Sequence, residues 1–146
     1  MEWQLGEYSI NTDKAKIDLN IVHEFLSQSY WAENIPKATL QKSIDHSLCF
    51  SVYRQLQQVG FARVISDFAT FAYLADVFIL PRERGKQLSK WLMQIIMDYP
   101  ELQGLRRFTL ATRDAHGLYA RFGFVPFDKP ERWMQRYDAD VYKRLS

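Results

Sequence analysis

The sequence predicts an α+β fold: a mixed, mostly antiparallel sheet flanked by helices, with a strand-helix-strand crossover at its centre. Three observations carry that reading. Apolar runs of strand length at residues 50–54, 59–66 and 71–79 are separated only by short polar turns, the pattern of antiparallel neighbours. Residues 87–98 then place Leu88, Trp91, Leu92, Ile95 and Ile96 on one helical face. A last short apolar run at 108–112 follows that helix, and strand-helix-strand order implies a parallel, right-handed crossover.

Taken in order, residues 3–9 form a first strand. Asp18 is placed to cap a helix whose Leu19, Val22, Phe25 and Leu26 recur at helical spacing. The segment 30–36 breaks that helix as a loop, and Pro36 opens a second helix over 37–48. Residues 50–54 form the second strand, 55–58 a hairpin turn, 59–66 the third strand and 71–79 the fourth. Tyr99 and Pro100 end the central helix. Residues 115–122 form a further short helix closed by Gly123 as a left-handed cap. Residues 133–137 are assigned to a last strand.

Composition limits what the chain can do. Its 146 residues suit one domain over 1–146, with an apolar share of 47% and a charged share of 25%, as in an ordinary globular protein. With 19 basic and 17 acidic residues the net charge of +2 is too small to point to nucleic acid. Cys49 is the single cysteine, so neither an intrachain disulfide nor a thiolate zinc cluster is available, and no metal is expected. The N-terminus lacks a basic region followed by an apolar run, and no apolar stretch approaches the roughly 18 residues of a membrane span. The expected location is cytoplasmic, with no membrane partner.

The turn after the fourth strand is the richest in chemistry. Arg82, Arg84, Lys86 and Lys90 surround a helix start holding one glycine, Gly85. A helix N-terminus presents unpaired backbone N–H groups and the positive end of the helix dipole, so it favours anions. The turn lacks the spacing of a Walker loop or of a GxGxxG dinucleotide fingerprint. Read alone, it is either a phosphate cradle or a basic helix start tied to nearby carboxylates. A second constellation, Thr112-Arg113-Asp114-Ala115-His116-Gly117-Leu118-Tyr119-Ala120-Arg121-Phe122-Gly123-Phe124, sets Tyr119 on a short helix beside the crossover.

Together these segments resemble the GNAT superfamily of acetyl-CoA-dependent N-acetyltransferases. Arg84-Gly85-Lys86-Gln87-Leu88-Ser89 is similar to the family's Q/R-x-x-G-x-G/A loop, with Gln87 in place of its main glycine and Ser89 in place of glycine or alanine. Ala115, Leu118, Tyr119, Gly123 and Phe124 are similar to its N-x-x-A-x-x-L-Y-x-x-x-G-F pattern, with Thr112 in place of asparagine. The resemblance covers residues 50–127 well and the first helices loosely.

It implies acetyl-CoA as cofactor, its pyrophosphate on the backbone amides of Arg84, Gly85, Lys86, Gln87, Leu88 and Ser89, with the Arg84 and Lys86 charges beside it. It implies that Val77, Phe78 and Ile79 pair with the pantetheine arm, that the Ile79 amide or a near neighbour serves as oxyanion donor, and that Thr112 borders the cofactor. Tyr119 matches the general acid that protonates the departing thiolate. Asp76 is the expected base for the attacking amine, set by strand alternation on the face of Leu74 and Phe78; an ion pair with Arg63 or Arg113 is the alternative. His116 is a second candidate base, and Asp114 is expected to cap the short helix. Cys49 lies outside both motifs, which favours direct attack in a ternary complex over an acyl-cysteine.

Tyr30, Trp31, Glu33 and Ile35, with Asp67, Phe68, Phe71 and Tyr73, are expected to face the acceptor, a primary amine of a small molecule or peptide, unless these aromatics only pack helix on sheet. Trp133 and the tail 137–146 are assigned to pocket closure or to a homodimer contact. Two other readings stand beside the enzyme: a CoA-binding sensor or structural module, and a nucleic-acid binder using Arg82, Arg84, Lys86, Arg106, Arg107 and Arg113.

Overall fold

The computed structural model describes residues 1–145. Six strands form one sheet in sequential order: β1 (Glu2–Leu5), β2 (Tyr8–Asn11), β3 (Leu48–Arg54), β4 (Gln57–Ser66), β5 (Phe71–Ile79) and β6 (Arg107–Leu110). All neighbours are antiparallel except β5 and β6, which run parallel. Among the described residues five α-helices accompany the sheet: α1 (Leu19–Ser27), α2 (Lys37–Asp45), α3 (Leu88–Asp98), α4 (His116–Ala120) and α5 (Val141–Leu145).

The sheet separates two apolar cores. On one face Leu88, Leu92, Met93 and Ile96 of α3 and Tyr119 of α4 pack on Phe50, Val52, Val64, Ala72 and Leu74. On the other, Val22 and Leu26 of α1 and Leu40 and Ile44 of α2 cover Cys49, Phe61 and Phe78. The crossover predicted for 71–112 is the β5–α3–β6 unit, and it places the N-terminus of α3 at the end of β5.

Three local expectations are corrected. The first strand is a hairpin, because Gly6 takes φ +60° and turns the chain between β1 and β2. No strand forms at 133–137. Trp133 instead stacks on Phe127, with ring centroids 4.3 Å apart, and the Arg107 guanidinium lies 5.1 Å from its ring centre. The second helix ends at Asp45, since Leu48 already pairs with Val64 in the sheet.

Strand alternation also fails at one place in β5. Phe61 pairs with Phe78 and Arg63 with Ala75, so Asp76 and Val77 together oppose Ala62. This is a β-bulge, and Asp76 takes the left-handed conformation at φ +57°. The bulge reverses the facing of the residues beyond it. Leu74 lies in the α3 core, whereas Phe78 lies in the α1–α2 core. Asp76 bonds to Trp31 on the α1–α2 side, so it shares a face with Phe78 but not with Leu74.

Candidate active site

The pairing of β5 with β6 ends at Leu74 and Leu110, while β5 runs on to Ile79. Beyond that point the outer edge of β5 is open. Leu80 N–H donates to Val59 of β4 at 2.8 Å, so alternation directs the N–H groups of Val77 and Ile79 to the open side. The Ile79 carbonyl faces the same way and accepts from Arg84 Nε at 3.1 Å.

The open edge leads into a run of backbone donors. After β5 the chain makes one tight turn at Pro81–Glu83, and the Arg84 amide is consumed by the Pro81 carbonyl at 3.2 Å. The amide run therefore begins one residue later than expected. Among the described residues, the N–H groups of residues 85–90 have no acceptor within the chain. Gly85 at φ +81° and Gln87 at φ +65° bend this run, and both conformations lie in the left-handed region. Gln87 meets it as the N-cap of α3 without a capping side-chain bond. A residue with a Cβ thus holds a left-handed backbone at this position, at a cost of about 1 kcal/mol. Leu88 begins the first turn of α3 with its side chain buried in the core, and Ser89 follows it in that turn.

Lys86 differs from its expected place. Its ammonium turns toward the sheet and bonds Glu83 Oε2 at 2.9 Å and Tyr8 Oη at 3.1 Å. Glu83, which sequence reasoning passed over, is 1% exposed and also accepts from Tyr8 Oη at 2.6 Å and Arg54 Nη1 at 3.1 Å. Those donors, Tyr8 first and then Lys86, hold its carboxyl down at about 2.

Tyr119 lies on α4 against the β5–β6 side of the sheet, its ring edge-on to Phe124 at 6.1 Å. Burial, with a smaller push from the Tyr30 phenol, raises its hydroxyl to about 12, so it stays protonated at neutral pH. Thr112 does not stand free: its hydroxyl accepts from the Ala115 amide at 3.0 Å in the turn before α4. The N-cap of α4 is Ala115, with no side-chain cap bond, so Asp114 does not cap this helix as expected. Asp114 is exposed beside Arg113.

The α1–α2 loop reaches across the opening. Tyr30 Oη accepts from the Arg113 amide at 3.1 Å, and the Arg113 guanidinium sits 4.0 Å from the Tyr30 ring centre. The neighbouring Trp31 donates Nε1–H to Asp76 Oδ1 at 3.0 Å. Arg63 Nε donates to the other oxygen of Asp76 at 2.8 Å, and Arg63 Nη1 to Ser47 Oγ at 3.1 Å. Each oxygen of Asp76 already holds a donor, so the geometry gives this carboxylate the ion pair with Arg63 that stood as the alternative to the base. Phe25, read in the sequence as part of the apolar face of α1 and not as a site residue, stacks on Phe78 at 4.1 Å and completes the aromatic wall.

Other expected acceptor contacts spread out. Tyr73 is half-buried nearer the middle of β5. Phe71 begins that strand, about 16 Å from Asp76 at strand rise. Glu33 is exposed, and Ile35 is buried under α1 and α2. Asp67 accepts from the Ala69, Thr70 and Phe71 amides and the Thr70 hydroxyl, which fixes the β4–β5 turn. Cys49 is buried and its thiol is pushed up to about 11, a poor state for a nucleophile. Among the described residues no group of His, Cys, Asp and Glu could hold a metal ion, and no helix is long and apolar enough to cross a membrane.

Comparison with known proteins matches residues 19–124 to the acetyltransferase (GNAT) family. The chain is 32% identical to FG08082 of Gibberella zeae, described as a candidate acetyltransferase, over 82% of this chain and 79% of that protein. A crystal structure from Xanthomonas campestris pv. campestris, described as a candidate acetyltransferase of the GNAT family, superposes with a TM-score of 0.91 at 53% identity, covering 95% of this chain and 99% of that one. A Clostridium acetobutylicum structure, described as a candidate acetyltransferase with acetyl-CoA, shares the fold at a TM-score of 0.64 and 13% identity, covering 94% and 96% of the chains. The open edge of β5, the donor run at α3 and the phenol on α4 therefore lie in a chain that belongs to the GNAT acetyltransferase family.

Proposed function

We propose that the protein transfers an acetyl group from acetyl-CoA to a primary amine of a small molecule or peptide, by direct attack in a ternary complex. The observation that carries this reading is the continuity of two unsatisfied donor sets: the open edge of β5 at Val77 and Ile79, and the amides of residues 85–90 directly after it. An extended amide-bearing arm ending in a pyrophosphate matches that order of donors. The arm adds to β5 as a strand would, and the anion meets a helix N-terminus.

Acetyl-CoA supplies the acyl group as a thioester. The residue 85–89 amides hold the pyrophosphate, and Arg84, anchored on the Ile79 carbonyl, stands where strand edge and loop meet. The Val77 N–H, aimed into the open side at the end of the arm away from the pyrophosphate, stabilises the oxygen that gains charge when the amine nitrogen attacks the thioester carbon. As the carbon–sulfur bond breaks, the Tyr119 hydroxyl gives its proton to the leaving sulfur, and the proton of the new amide nitrogen leaves to solvent. A phenol raised to about 12 reaches that step protonated. Asp76 acts as a positioning residue that holds Trp31, and through it Tyr30, over the acceptor side.

Thiol release from acetyl-CoA against a panel of primary amines tests the reading. Amine-dependent release, lowered about 100-fold in kcat by Tyr119→Phe, is the expected result. Full turnover in Tyr119→Phe removes the acid role. CoA binding with no release on any amine favours a sensor or structural module.

A further inference from the structure

A carboxylate at 1% exposure is costly unless its charge is matched, and Glu83 is matched by donors from three places. Tyr8 reaches it from β2, Arg54 from β3, and Lys86 from the loop itself. Arg54 is held in turn by Glu7 at 2.9 Å, and Lys86 lies 5.9 Å from the centre of the Tyr8 ring. A buried, fully paired charge adds little net stability over an apolar packing of the same volume. Its place in the chain is more telling: Glu83 closes the turn after β5, and the free amide run starts two residues later.

We propose that Glu83 is the positioning residue of the anion-binding loop. Its carboxylate pins the loop to β2 and β3 and keeps the Lys86 ammonium behind the backbone, so that a phosphate meets amides and not Lys86. The inference rests on the acetyl-CoA reading and assigns the recognition of the pyrophosphate within it.

Calorimetric titration of the full chain with CoA, joined to steady-state kinetics, tests the assignment on Glu83→Gln, Tyr8→Phe, Lys86→Met and the Glu83→Gln/Lys86→Met pair. Glu83→Gln is expected to raise Kd for CoA and KM for acetyl-CoA about tenfold, with turnover at saturation kept within about twofold. Tyr8→Phe removes one hydroxyl and keeps the ring, so it reports in the same direction should the glutamine variant fold poorly. The double variant is expected to bind no worse than the weaker single one, because both substitutions break one unit. A Lys86→Met loss of CoA affinity with Glu83→Gln and Tyr8→Phe unchanged makes Lys86 a direct phosphate ligand and overturns the proposal. Binding by the unaltered protein that every variant keeps also overturns it, while leaving the acetyl-CoA reading intact. Absence of CoA affinity in the unaltered protein overturns that reading and the inference together.

Discussion

Trp31 donates its indole N–H to Asp76 at 3.0 Å, which fastens the α1–α2 loop to the bulge of β5. The same carboxylate neutralises Arg63, whose side chain is mostly buried. Asp76→Ala leaves that guanidinium without its counter-charge and is expected to destabilise the fold by about 3–5 kcal/mol in urea unfolding. Adding Arg63→Met to Asp76→Ala should return part of the loss. If the double variant is as unstable as the single one, the ion pair is not the source of the cost.

Gln87 holds a left-handed backbone, at φ +65°, in front of α3. Gln87→Gly relieves that conformation but adds freedom to the unfolded chain, so its net effect is expected between neutral and about 1 kcal/mol stabilising. Gln87→Val, with a branched Cβ that tolerates this region poorly, is expected to destabilise by about 1–2 kcal/mol. Thermal melts order the variants, and a glycine variant clearly less stable than wild type contradicts the assigned backbone.

Gly60 lies across from Ile79, where the open edge of β5 ends. A Cβ there would meet the Phe78 carbonyl oxygen at 3.0 Å, Val52 Cβ at 3.1 Å and Ile79 Cδ1 at 2.7 Å. The isoleucine tip can turn aside, but the backbone oxygen cannot. Gly60→Ala should cost about 1–3 kcal/mol of stability. Faster amide hydrogen exchange at Phe78 and Leu80 would place the damage on the β4–β5 pairing.

Glu83 gives the fold an acid-sensitive element. Its folded value of about 2 lies below the ordinary 4.5, so the unfolded chain binds the proton first as pH falls. The stabilisation is complete above about 4.5 and is lost as pH drops toward 2. Asp67 is also held low and titrates in the acid range, so wild type alone does not isolate Glu83. The difference in unfolding free energy between wild type and Glu83→Gln should be constant above about pH 5 and shrink below it. A difference that stays flat down to pH 2 would show that Glu83 does not titrate in this way.

Much of this architecture was legible in the chain. The apolar runs at 59–66 and 71–79 and the face Leu88, Leu92, Ile95, Ile96 are local signals, and β4, β5 and α3 follow them closely. The Gly6 turn was visible but outweighed by the apolar and aromatic residues around it. The failed strand at 133–137 shows the reverse error: aromatic residues suited to a strand find ring and guanidinium partners instead. Asp76 and Phe78 were placed together correctly by parity, but no local signal announced the bulge that separates both from Leu74. Glu83 was illegible because its burial depends on Tyr8, 75 residues away in sequence, and Arg54, 29 residues away. A glutamate between two arginines reads as a solvated charge until those strands are brought beneath it.

The bulge makes the length of β5 as important as its composition. Val77 to Ile79 lie one step out of phase with the residues before Asp76, and each core receives its side chains through that offset. Shortening the strand by one residue would exchange the two sides: Phe78 would be driven toward α3 and Ile79 toward α1. The carbonyls and amides now turned outward would turn inward toward β4. The segment should therefore tolerate many side-chain replacements more readily than the loss or gain of a single residue.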